Sequence, residues 1–473
     1  MTKKFLFTAI IFVMILFADW EPDQRLTFDP SVSQTSPNSG WCVAVKNDTV
    51  HIVYFDYREG GDKIFYQRST NGGISWDPET VIVDTPAVYP GPPAVSLAVS
   101  DSGGVHIVWC DYLRGNDDEI FYKRSTNSGT TWFPDTVLTR DDFMVEADSW
   151  ASIATSGQFI HVVWHDCKWD GSQFNWDIFY KRSTDNGTHW ESDQRLTVHP
   201  GSSGPPSIAA SDHMVYVVWY DLRDGNPEIY FKRSTNNGAT WGPDTRLTSD
   251  GANSYLPTIG ANSLSVHIAW FDNRDGDWEI YYKRSTDGGN TWNDDTRLTS
   301  SIGESYHPSI AVSGERIHLV WYDQRDGNYE IYYKKSFDNG TNWTADTGLT
   351  SDPSPSFYPS VAVWGDKIHV VWTDERDGNR EVYYKRNPNG NTKIEERGIG
   401  NQRWVKRPKA IPNPFSDFTV VYGYEQEYFN IFDVSGRLIG KEKGFRLGVD
   451  LPKGVYFIEG TKTHQKLMVV KVN

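Results

Sequence analysis

Ser285-Thr-Asp-Gly-Gly-Asn-Thr-Trp292 is the clearest of six copies of one eight-residue pattern, Ser-x-Asp/Asn-x-Gly-x-x-Trp. The others occupy residues 69–76, 125–132, 183–190, 234–241 and 336–343. The pattern spells a tight hairpin turn. The acidic or amide side chain (Asn71, Asn127, Asp185, Asn236, Asp287, Asp338) accepts backbone N–H bonds inside the turn. The glycine supplies a backbone angle that a β-carbon resists. The tryptophan packs back and staples the turn. Trp190, Trp241, Trp292 and Trp343 follow one another at a constant 51 residues. A period of this length signals a propeller, a solenoid or another array.

The residues around each turn read as strands. Before the turn at Ser336, Pro308-Ser-Ile-Ala-Val312 is a short apolar strand, and Arg316-Ile-His-Leu-Val-Trp-Tyr322 is a longer one, apolar on both faces. Asp323-Gln-Arg-Asp-Gly-Asn328 is turn-rich, Glu330-Ile-Tyr-Tyr-Lys-Lys335 alternates, and residues 346–350 make a short outer strand. Four antiparallel strands repeated radially make a propeller. Seven second strands can be counted, marked by Tyr54, Trp109, Trp164, Trp219, Trp270, Trp321 and Trp372, each with an Asp two residues later. The seventh unit has a degraded turn at 387–391 and no outer strand. Trp20-Glu-Pro-Asp-Gln-Arg-Leu-Thr27 matches Trp190-Glu-Ser-Asp-Gln-Arg-Leu-Thr197, so residues 20–27 are expected to close the last blade and remove an open edge.

The repeated pattern resembles the Asp box, or BNR repeat, of sialidase-like β-propellers, over roughly residues 20–390. The resemblance implies that each box is a structural turn between third and fourth strands, on the face opposite the active site. The expected fold is all-β: a seven-bladed β-propeller of four-stranded antiparallel blades over 19–391, plus a small C-terminal immunoglobulin-like β-sandwich.

Composition agrees with many short strands. The chain has 473 residues, with 20 Trp, 25 Tyr and 23 Phe, and a net charge of −16. That acidity argues against nucleic acid as a partner. Cys42, Cys110 and Cys167 are too few and too scattered for a disulfide framework and are expected to pack. Residues 1–18, with Lys3, Lys4 and an apolar run over 5–17, read as a signal peptide, too short to be a transmembrane anchor. Residues 392–409 read as a linker and 410–473 as a separate β domain. That domain carries Asp433-Val-Ser-Gly-Arg437 and Leu451-Pro-Lys-Gly-Val-Tyr456, and it resembles the C-terminal sorting domain of type IX secretion cargo. The resemblance implies a secreted or outer-surface protein of a Gram-negative-type bacterium, delivered by that machinery. A monomer without cofactors or metals is expected.

A propeller's chemistry sits where its repeat fails. The loops 139–150 and 166–176 of the third blade are longer than their counterparts, which selects Asp148, Trp150, Trp169, Asp170 and Trp176 as ligand-binding candidates. Tyr255, Tyr306 and Tyr358, at the starts of inner strands, form a second set, because aromatic faces stack on the C–H patches of sugars. The histidines repeated at 51, 106, 161, 267, 318 and 369 lie one to a blade and read as structural. The Asp-x-Arg-Asp-Gly loops read as turn caps and inter-blade salt bridges. The resembled sialidases hold the substrate carboxylate with three arginines, the first in an Arg-Ile-Pro motif, and use a Tyr–Glu nucleophile with an Asp acid/base. Here the corresponding starts are Tyr255-Leu-Pro257, Tyr306-His-Pro308 and Phe357-Tyr-Pro359, and no Arg-Ile-Pro occurs. No catalytic residue is therefore carried over. The expectation is a non-catalytic module for an extracellular glycan or protein. A sialidase-type exo-hydrolase and a structural adhesion component are the alternatives.

Overall fold

The computed structural model describes residues 20–36, 41–58, 63–84, 94–111, 119–139, 150–169 and 174–390 of one compact unit. In a second unit it describes residues 409–411, 420–422, 428–433, 437–443, 452–460 and 466–471. The signal peptide and nearly all of the linker lie outside the described residues, which include no helix long and apolar enough to cross a membrane.

Seven antiparallel sheets make up the first unit. Blade 6 is representative: Ser305–Ser313, Arg316–Asp323, Glu330–Ser336 and Thr347–Gly348 pair in that order from the inside outward. Its second strand is apolar on both faces because neighbouring blades cover both, and Trp321 is fully buried. In blade 7, Ser356–Trp364, Lys367–Asp374 and Glu381–Asn387 receive their fourth strand from Gln24–Arg25. Gln24 pairs with Tyr384 and Arg25 with Tyr383, so the ring has no open edge at this seam.

The boxes clasp one blade to the next. In blade 6, Ser336 Oγ donates to Asp338 Oδ1 at 2.9 Å, and the Asn342 N–H donates to the same oxygen at 2.8 Å. Asn71, Asn127, Asp185, Asn236 and Asp287 each accept from their own box serine in the same way. Trp343 then meets the Tyr282 ring of blade 5 edge-on at 5.0 Å. The same contact joins Trp76 to Tyr384, Trp132 to Tyr66, Trp190 to Tyr122, Trp241 to Tyr180 and Trp292 to Phe231. Blade 7 has no box tryptophan. Trp20 takes the place, edge-on to Tyr333 at 4.9 Å, so the N-terminal segment supplies both missing parts. Box glycines make room for these tyrosines: a β-carbon on Gly340, already at φ +78°, would lie 1.9 Å from Tyr282 Oη.

Each clasp tyrosine also meets a buried histidine of its own blade. His51, His106, His161, His267, His318 and His369 place Nδ1 2.6–2.8 Å from Tyr66, Tyr122, Tyr180, Tyr282, Tyr333 and Tyr384. Blade 4 changes both partners together, to Tyr216 and Phe231, whose rings stack. Burial pushes five of these histidines (51, 106, 161, 267 and 369) down to about 3, so they stay neutral. The three cysteines are buried and form no disulfide, and burial pushes Cys42 up to about 12.

The Asp-x-Arg-Asp-Gly loops differ from expectation in one respect. Their ion pairs stay mainly within a blade. Arg325 forks onto Asp323, with Nε to Oδ1 at 2.9 Å, and reaches Asp346 at 2.7 Å. It also lies over the Tyr332 ring at 4.1 Å. Asp323 is buried and also accepts from Ser305 Oγ and Trp321 Nε1. The link between blades is made by lysine: Lys334 pairs with Asp346 and donates to the Leu298 carbonyl of blade 5.

In the second unit, Lys409–Ile411 pairs with Val420–Tyr422. A four-stranded antiparallel sheet runs in the order Leu438–Lys443, Tyr428–Phe432, Gly454–Gly460, Lys466–Lys471. Phe429, Ile431, Tyr456 and Ile458 are buried in it.

Candidate functional site

The two faces of the ring are distinguished by its hydrogen bonds. Five of the six boxes bond back to the turn between first and second strands, as Asn339 N–H does to the Glu315 carbonyl at 2.7 Å. Inner strands therefore begin on the opposite face. On the box side, the channel holds a cavity of about 290 Å³ lined by small residues such as Ala154, Ala210 and Ala261, together with Trp41 and Trp364. Among the described residues no titratable side chain lines it, and it offers backbone polar groups and the Thr155 hydroxyl beside apolar side chains.

The other mouth is different. Inner strands of blades 5, 6 and 7 begin with a bulge, where pairing shifts between Tyr255 and Thr258, Tyr306 and Ser309, and Phe357 and Ser360. At each bulge a residue before proline takes positive φ: Leu256 at 42°, His307 at 47° and Tyr358 at 52°. Side chains other than glycine resist this conformation, above all before proline, at a cost of about 1–3 kcal/mol each. Bulges re-aim side chains and gather at sites of function.

These bulges display a continuous aromatic shelf. Tyr255 contacts Tyr220 at 4.9 Å, Phe271 at 6.1 Å and Trp278 at 5.8 Å. Phe271 meets Tyr306 at 5.4 Å. Tyr306 meets Tyr322 at 5.7 Å, and Tyr322 meets Tyr329 at 5.0 Å and Tyr358 at 6.0 Å. Tyr255, Trp278, Tyr306, Tyr329 and Tyr358 are only partly buried. The hydroxyls of Tyr220, Tyr255, Tyr322, Tyr329 and Tyr358 have no hydrogen-bond partner among the described residues. Tyr306 donates to Glu304 Oε2 at 2.5 Å. Burial and then the Glu304 bond raise the Tyr306 phenol well above the usual range, so it stays neutral.

Of the expected site residues, Tyr255, Tyr306 and Tyr358 thus stand in one chain of contacts. Asp148 and Asp170 lie outside the described residues, as does the Trp169 side chain. Trp150 is partly buried. Trp176 meets His165 edge-on at 4.8 Å. The stretch 166–176 was expected to be a long loop, yet much of it is ladder: Phe159–Trp169 pairs with Phe174–Ser183 through to Trp169 opposite Phe174. Added length here extends two strands.

Trp278, Tyr329, Glu304 and His307 were missed. They occupy motif positions that change from blade to blade without changing the spacing. The residue before the third-strand glutamate is Pro227, Trp278, Tyr329 and Arg380 in turn, and the residue before the first-strand serine is Ser202, Asn253, Glu304 and Pro355.

Among the described residues, these arginines of this face are committed. Arg223, Arg274, Arg325 and Arg376 each fork onto an aspartate of their own loop. Arg380 bonds Glu375 at 3.0 Å and Gln34 at 2.9 Å. Among the described residues no group of three or more metal-ligating side chains occurs.

Comparison with solved structures places the chain among β-propellers. A polysaccharide lyase of family PL25, an ulvan lyase, superposes with a TM-score of 0.54 at 12% identity, over 76% of this chain and 95% of that one. The polysaccharide lyase Uly1 gives 0.51 at 10% identity, over 74% and 90%. The Hadza microbial sialidase Hz136 gives 0.45 at 16% identity, over 62% of this chain, which spans 64% of the sialidase. At these identities the likeness is one of fold. No family model and no curated protein sequence matches the chain.

Proposed function

We propose that this propeller is a secreted, non-catalytic glycan-binding module whose ligand lies on the aromatic shelf of blades 5–7. The shelf itself carries the reading. It offers partly exposed rings for stacking on sugar C–H faces, beside phenol hydroxyls that have no partner among the described residues. The third-blade residues Trp150, Trp169, Asp170, Trp176 and Asp148 are proposed as further ligand-binding residues. The carbohydrate-active names of the propellers above agree with this ligand class. A glycan array with the full chain tests it: Tyr255→Ala with Tyr329→Ala should abolish every array signal, and signals that survive the double variant refute the shelf as the site.

A second reading is hydrolysis of the sialidase type, and the Tyr306–Glu304 pair favours it. Against it stand the raised Tyr306 phenol, which is a poorer nucleophile, and the committed arginines, since carboxylate recognition relies on a free guanidinium fork. Release of a fluorogenic aglycone from a sialoside, lost in Tyr306→Phe, would establish hydrolysis. We further propose that residues 1–18 direct export and that 410–473 act as a type IX sorting domain. The resemblance of the turn-and-strand pattern supports the second assignment. Truncation after Lys409 should then leave a folded propeller in the periplasm, and normal surface delivery of the truncated chain would refute it.

A further inference from the structure

We propose that the ring cluster around Tyr322 seats an ammonium group carried on the glycan, so that the preferred ligand is an amino sugar with a free amine. This rests on the glycan reading above and adds the charge of the ligand.

Glu304 begins the argument. It is partly buried, its side chain accepts from the Tyr306 hydroxyl, and it has no cationic partner among the described residues. A carboxylate drawn partly out of water and held by one phenol is under-compensated. The equivalent positions of neighbouring blades, Ser202, Asn253 and Pro355, carry no charge, so the acid is a feature of this place and not of the repeat.

The rings add to it. Tyr322 is the hub, with Tyr329 and Tyr358 packed nearly perpendicular to it at 78° and 82°. The π faces of tyrosine attract a cation, most strongly where water is thinned. The nearby guanidiniums are spent: Arg325 on Asp323 and Asp346, Arg380 on Glu375 and Gln34. A sugar carboxylate would meet Glu304 and phenol oxygens with no free fork to hold it. An amine meets a carboxylate and ring faces. The charge of −16 on the chain further favours approach of a cation.

Titration calorimetry with the full chain tests this, using hexamers of glucosamine, of N-acetylglucosamine and of galacturonate at a pH where the amine is protonated. The free-amine hexamer should bind about ten-fold tighter than its acetylated form, the size expected of a partly desolvated cation–π and ion-pair seat. The uronate should not bind. Glu304→Gln should reduce the free-amine hexamer to the acetylated level and leave the acetylated hexamer unchanged. Tetramethylammonium should compete with the amine and not with the acetylated sugar. Equal binding of the two hexamers, or an unchanged preference in Glu304→Gln, overturns the ammonium seat while the glycan reading stands. Tighter binding of the uronate overturns it as well. Binding of none of the three overturns the seat, and the array then decides the broader reading on its own.

Discussion

Lowering the pH from 7 to 5 should destabilise this ring through its histidines. His51, His106, His161, His267 and His369 are held at about 3 in the fold, against 6.5 when solvated. Each folded value lies below its unfolded value. The stability they provide is thus complete above 6.5 and is lost as pH falls from there toward 3, because the unfolded chain takes up protons that the fold refuses. Between pH 7 and 5 the loss is about 2 kcal/mol for each histidine, or about 10 kcal/mol for the five as an upper figure. That rivals the whole stability of an ordinary domain, about 5–15 kcal/mol. Other groups blur this window little. Asp221, Asp272, Asp323 and Asp374 are lowered from 3.8, so they release stability only below it. Glu279, Glu330 and Glu381 are raised by burial and offset a part. The assay is urea unfolding followed by tryptophan fluorescence at both pH values. Blade 4 provides the control. Grafting its pair into blade 5, as His267→Tyr with Tyr282→Phe, removes one titrating site and should shrink the pH difference by about 2 kcal/mol. Equal urea midpoints at pH 5 and 7 for the unaltered chain would refute the reasoning, as would a graft that leaves the difference unchanged.

Three further outcomes are expected. Trp20→Ala empties the contact on Tyr333 and should cost about 2–4 kcal/mol, somewhat below a fully buried tryptophan, and a chain beginning at Ser31 should aggregate; normal melting of both would show that the seam does not hold the ring. Gly340→Ala should lower the Tm, since its φ is positive and the new β-carbon meets Tyr282 Oη; part of that loss should return with Tyr282→Phe, and no return would place the strain in the backbone alone. Asp323→Ala removes the buried carboxylate that Arg325 forks onto, leaving the guanidinium only Asp346, and should cost about 3–5 kcal/mol in urea unfolding with little effect on ligand binding; a binding loss without a stability loss would make the repeated loop part of the site.

The ring was legible because its instructions are local and repeated. A serine, an acid or amide, a glycine and a tryptophan in fixed order specify the clasp, and seven second strands give the number of blades. The pairing of Gln24–Arg25 with blade 7 corresponds to the match between residues 20–27 and 190–197. That the same match would place Trp20 on Tyr333 was also there to be read. The shelf was legible only in part. Loop length singled out blade 3, but blades 5–7 are equal in length and differ by substitution, so Trp278, Tyr329 and Glu304 hide inside a regular spacing. The positive φ of Leu256, His307 and Tyr358 could not be read from residues that ordinarily avoid it.

The seam has a mechanical consequence. The chain leaves the last blade along Glu381–Asn387, whose inner neighbour is Lys367–Asp374, paired over seven positions from Ile368–Asn387 to Asp374–Glu381, and whose outer neighbour is Gln24–Arg25. It exits on the box side, where Lys335 grips the Gly390 carbonyl at 3.1 Å. A load between a ligand on the shelf and a tether beyond residue 390 would run lengthwise along these strands. Their hydrogen bonds would then be strained in parallel instead of being peeled one after another, a geometry that resists sudden tension far better than it resists slow unzipping from an end.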